Sequence, residues 1–123
     1  MPVIRPVDAV PFQTHGSRFL SYVSPSRGSS QLCAWQLRVP PDLQGVAHRP
    51  TRDEVLLVLA GELHVTLDGV CTVLLPGDVV LVTAGSDLRV DAGPEGATAW
   101  VTTTPGLEAV TANGTKITPP WTQ

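Results

Sequence analysis

His48-Arg49-Pro50-Thr51-Arg52-Asp53-Glu54 runs directly into Val55-Leu56-Leu57-Val58-Leu59-Ala60 and closes on Gly61. Six consecutive apolar residues suit a strand and fall far short of a bilayer span. Period-two geometry puts Glu54, Leu56 and Val58 on one side and Val55, Leu57 and Leu59 on the other. Apolar residues on both sides require two covers, so one face is expected to look into a core. The other calls for the N-terminal segment or a second subunit. Glu54 is therefore a carboxylate at the head of a core-facing row.

Working outward, Leu63, Val65 and Leu67 alternate with Glu62, His64 and Thr66 as far as Asp68-Gly69, a two-residue hairpin signal. Val70 to Leu75 returns, Pro76-Gly77-Asp78 turns, and Val79 to Val82 is a further apolar strand. Turns are expected at Ala84-Gly85-Ser86 and at Ala92-Gly93-Pro94-Glu95-Gly96, with a strand from Ala97 to Thr104. Upstream, Phe19 to Val23 reads as a strand. Gln31 to Val39 reads as another, with Cys33, Trp35, Leu37 and Val39 on its apolar face, and Pro40-Pro41-Asp42 breaks it. Downstream, Glu108 to Ala112 and Thr115 to Thr118 flank the hairpin signal Asn113-Gly114, and Pro119-Pro120-Trp121 follows. No stretch carries the period of an amphipathic helix, so the expected class is all-β.

The chain has 123 residues, 11 glycines and 12 prolines, which suits one domain of short strands joined by sharp turns. Lys116 is the single lysine, the arginines are scattered, and a net charge of -3 offers no footprint for nucleic acid or an anionic membrane. Cys33 and Cys71 do not demand a disulfide. The N-terminal residues carry no uninterrupted apolar segment, and a cytoplasmic location is expected.

Two motif segments now stand in order. The first, G-x5-H-x-H-x3-E-x6-G, is met by His48, Glu54 and Gly61, with Asp42 at its first glycine position and Pro50 at its second histidine position. The second, G-x5-P-x-G-x2-H-x3-N, is met by Gly77 and Gly85, with Thr83, Leu88 and Ala92 at the remaining positions. In this pairing the chain resembles the cupin superfamily, as a small single-domain cupin with a degenerate metal site, over roughly residues 32–104. The resemblance implies a double-stranded β-helix, the cupin jelly-roll barrel. Residues 1–123 would form one domain: N-terminal strands in 1–31, a barrel core in about 32–104, and a C-terminal hairpin and tail in 105–123.

Family members that use a metal hold it with three histidines and one glutamate. Carried over by position, this chain supplies His48 and Glu54, while Pro50 and Leu88 have no donor atoms. Asp53 and Asp87 neighbour signature positions but point to the opposite face. No cofactor is expected, and any metal would rest on His48, Glu54 and water. His48 and Glu54 are the candidate catalytic pair, general acid and base on one pocket floor, with a satisfied structural pair as the alternative. Trp35, Leu56 and Leu88 are candidate ligand-binding walls, and Arg49 and Arg52 candidate anchors for a ligand carboxylate. His64 and His15 read as solvated.

The expected function is a metal-independent isomerase, cyclase or lyase step on a small organic molecule, in a homodimer. A non-catalytic small-molecule-binding cupin and a metal-dependent oxygenase stand as alternatives.

Overall fold

The structure, a computed structural model, describes residues 2–123. Ten strands follow in order: β1 (Val10–Thr14), β2 (Ser17–Val23), β3 (Cys33–Val39), β4 (His48–Pro50), β5 (Glu54–Leu67), β6 (Val70–Leu74), β7 (Val79–Val82), β8 (Leu88–Thr103), β9 (Ala109–Thr111) and β10 (Lys116–Ile117). Helix among the described residues is limited to three short 3-10 turns. None is long and apolar enough to cross a membrane. The all-β expectation holds.

Two long strands organise the barrel. β5 and β8 pair antiparallel along nearly their whole lengths, from Val55 opposite Thr102 to Leu67 opposite Leu88. β8 continues to β3 on its other side, and β3 to β2 and β1. At its far end β8 meets β4, which pairs in turn with β9, while β6 and β7 hang on opposite halves of β5. The sheet thus curls into a jelly roll whose inner side is one apolar cluster, with Leu37, Leu56, Val58, Leu63 and Val101 among its members.

Both long strands bend at the same corner. The register passes from Gly61 opposite Ala97 to Leu63 opposite Ala92, so Gly93 to Gly96 stand against Glu62 alone. The turn expected over Ala92–Gly96 is therefore an excursion within one strand, and it does not separate two. Its glycines permit this. Gly61 sits at φ +75 and Gly96 at +76, conformations that side chains with a Cβ adopt only with strain. A Cβ on Gly61 would lie 2.1 Å from the Gly96 carbonyl oxygen. A bulge at that corner increases local twist and lets one strand serve two walls.

Two elements were not read from the sequence. β1 forms a hairpin with β2 through His15-Gly16, both at positive φ, and β4 is a three-residue strand fixed by β9. Val55, Leu59, Val79 and Leu81 lie exposed, so the N-terminal segment does not cover the outer side of β5 and β7.

Candidate functional site

The two motif segments meet inside the barrel. β4 carries His48 and Pro50, β5 begins at Glu54, and β8 begins at Leu88, paired with His48. All four signature positions line one cavity of about 210 Å³. Leu37, Val39 and Trp35 of β3, Leu56 of β5, and Val90 and Val101 of β8 supply an apolar wall.

Glu54 is 7% exposed, and burial alone pushes its carboxyl group up from the usual carboxylate range to about 7. Ionising a group already taken from water costs free energy, and no neighbouring cation offsets that cost. Strand alternation put Glu54, Leu56 and Val58 on the inner side, and all three are buried.

His48 lines the same cavity and is half-buried. Its Nδ1 lies 2.9 Å from the carbonyl oxygen of Val46. A carbonyl only accepts, so Nδ1 carries the proton in this contact, and in the neutral ring Nε2 keeps its lone pair. His48 and Glu54 form no ion pair; among the described residues the only ones are His64–Glu62 and Arg89–Asp91. The two groups share a cavity without touching as a salt bridge.

Of the other candidates, Trp35, Leu56 and Leu88 line the cavity, whereas Arg49 and Arg52 do not. Arg49 is exposed, and the exposed Arg52 lies over Gly106. β-strand alternation accounts for Arg49, which sits between two cavity-lining residues and so faces the other way. Asp53 is likewise outside, accepting a hydrogen bond from the Ala84 amide at 2.7 Å. His64 is partly exposed and meets Glu62 Oε1 at 2.6 Å. His15, expected to be solvated, is exposed yet belongs to the lining at the β1–β2 turn.

Sequence reasoning missed the far side of the cavity. Trp121 lines it, stacked on Phe19 with ring centroids 3.7 Å apart. Ser21 Oγ donates to the Trp121 carbonyl oxygen at 2.8 Å and anchors that segment against β2. Glu108 and Leu107 also belong to the lining. An aromatic residue directly after Pro119-Pro120 was the available signal, since such a pair presents a stiff, docked segment. The indole N–H groups of Trp35 and Trp121 are buried with no hydrogen-bond partner among the described residues.

The donor set does not fit a transition ion. Such sites take three or four protein ligands, and no group of three or more His, Cys, Asp or Glu side chains capable of holding a metal occurs among the described residues.

A family model described as "Cupin domain" matches residues 35–103. No curated protein matches the chain by sequence. Among solved structures, an RmlC-like cupin from Shewanella frigidimarina is similar, with 24% identity and a TM-score of 0.70 over 81% of this chain and 86% of that one. The polyketide cyclase RemF from Streptomyces resistomycificus is 16% identical with a TM-score of 0.75, covering 87% and 83%. KdgF from Halomonas sp. is 16% identical with a TM-score of 0.73, covering 85% and 94%. At these identities the likeness is one of fold.

Proposed function

The chain belongs to the cupin family, and from that premise we propose that it is a small-molecule enzyme of isomerase, cyclase or lyase type that moves protons with Glu54 and works without a metal ion. One observation carries the proposal: a carboxyl group buried in an apolar cavity and balanced between its two protonation states near pH 7. A general acid or base is most effective when its pKa lies near the working pH, and a positioned one contributes about 10²- to 10⁴-fold. Protonated, Glu54 donates to a carbonyl or leaving oxygen; ionised, it takes a proton from carbon. His48, whose Nε2 is a second basic atom, lines the same cavity.

Metal independence is supported by the chemistry of the donor set. Pro50 and Leu88 occupy the cavity where imidazoles would complete it, and two protein donors leave most of a coordination sphere to water. That weighs against the oxygenase alternative. The fold's ability to host ring closure, as in a protein named a polyketide cyclase, is support by analogy alone.

The test is enolisation of 2-tetralone, a neutral cyclic ketone, followed in deuterated buffer by loss of the α-proton NMR signal. The wild type is expected to accelerate exchange above buffer and Glu54→Gln to lose about 10²-fold or more of that acceleration. Equal rates for the two proteins would overturn the acid–base role. Elemental analysis of protein purified without chelator is expected to find far less than one transition metal per chain; a full equivalent would overturn metal independence. A non-catalytic binding protein, the second reading, would hold the ketone without accelerating exchange.

A further inference from the structure

Among the residues that line the cavity there is no lysine or arginine. Its ionisable side chains are Glu54, Glu108, His15 and His48. A carboxylate or phosphate entering would give up its water, meet no fixed cation, and face two carboxyl groups. An unpaired charge moved into such a place loses its hydration with no fixed cation to replace it.

A cationic ligand is also poorly served. Its partners would be Glu108 and, when ionised, Glu54, and the buried wall around Glu54 is aliphatic at Leu37, Val39, Leu56, Leu88 and Val101. Cation recognition by aromatic rings uses open faces. Here Phe19 and Trp121 cover one another at 3.7 Å and an interplanar angle of 12°.

The remaining class is neutral. An apolar cavity of about 150 Å³ accepts a benzene ring, and this one, at about 210 Å³, is larger. Phe19, Trp35 and Trp121 add aromatic carbon to the lining, which suits an apolar ring. We propose that the cavity takes an uncharged compound of one or two fused rings, bearing a hydroxyl or carbonyl oxygen that meets Glu54. This rests on Glu54 being the reacting group, and it adds the chemical class on which Glu54 acts.

The experiment is calorimetric titration of the intact protein, at pH about 6 where 2-naphthol is neutral, with three probes that share one ring system: 2-naphthol, 2-naphthoate and 2-naphthylmethylammonium. The neutral probe is expected to bind at least about tenfold tighter than either ion, a difference of about 1.4 kcal/mol. Equal or tighter binding of either ion overturns the proposal, as does failure of all three to bind at millimolar concentration. Amide shift mapping on the unmodified protein places the probe: shifts centred on Leu37, Leu56 and Val101 support the assignment, and shifts confined to the outer side of β5 and β7 overturn it. The two claims fail separately. If 2-naphthol binds as expected while 2-tetralone exchange is unaccelerated, the ligand class stands and the acid–base role falls. If 2-naphthoate wins while Glu54→Gln abolishes exchange, the reverse holds.

Discussion

His48 and Leu88 are register partners across β4 and β8. They are also the first and third histidine positions of the cupin signature, drawn from two segments forty residues apart in the chain. The backbone thus sets the first and third histidine positions side by side and brings all four signature positions to one cavity, while two of the four side chains are apolar.

Restoring those side chains should restore the site. Pro50→His combined with Leu88→His gives three imidazoles and one carboxylate lining a single cavity, a set suited to zinc or cobalt. The double variant is expected to retain about one cobalt per chain with visible absorption bands, and the parent little. A folded double variant that retains none would mean that the four positions do not converge on one point.

Stability should depend on pH through Glu54. Its carboxyl group titrates near 7 in the folded chain, against about 4.3 when unfolded, so between these values the folded state binds more protons. Stability is therefore full below pH about 4.5, declines as pH rises towards 7, and levels off above it. The total loss is about 4 kcal/mol. Glu54→Gln should flatten this segment of the profile and be the more stable protein at pH about 8. Parallel profiles in chemical denaturation would place the charge in a better-solvated setting than its burial implies.

Two glycines of the signature should differ in their tolerance of alanine. Gly61 and Gly77 both have positive φ, but a Cβ on Gly77 meets nothing within 4 Å, whereas on Gly61 it strikes the Gly96 carbonyl. Gly77→Ala is expected to cost about 1 kcal/mol and Gly61→Ala about 3 kcal/mol or more, because the corner of both long strands must move. Similar melting temperatures for the two variants would contradict the tight corner.

The outer side of β5 and β7 points to association. Val79 and Leu81 are 58% and 57% exposed, Val55 opposite Leu81 and Leu59 further along β5 are exposed as well, and among the described residues β7 pairs only with β5. Several exposed apolar side chains on one sheet face suit an interface, and a two-fold partner would cover them with the same residues. Light scattering after size exclusion is expected to give a dimer mass, with Leu81→Lys shifting it to monomer. A monomeric parent at high concentration would leave the patch without a second copy.

How much of this was legible in the sequence follows from range. Alternation is local, so it placed Glu54, Leu56, Trp35 and Leu37 inwards correctly. The hairpins at Asp68-Gly69 and Asn113-Gly114 were equally readable, because turn chemistry is a matter of two residues. For the same local reason the Gly93–Gly96 stretch reads as a turn between strands. Only its register against β5 shows that the strand continues. The wall formed by Phe19 and Trp121 depends on contacts about a hundred residues apart, which no window along the chain contains. Arg49 and Arg52 were placed by proximity in sequence to His48, and side-chain alternation sends Arg49 to the outer surface.

The indole nitrogens of Trp35 and Trp121 have a thermodynamic meaning of their own. A donor withdrawn from water with nothing to receive it costs about 1–3 kcal/mol, and this fold carries two. Phenylalanine would spare that cost at either position, so what the indoles contribute is breadth and stiffness: bicyclic plates with two torsions each, held by packing. Both indoles belong to the cavity lining, and each N–H is a donor that the fold itself leaves unengaged.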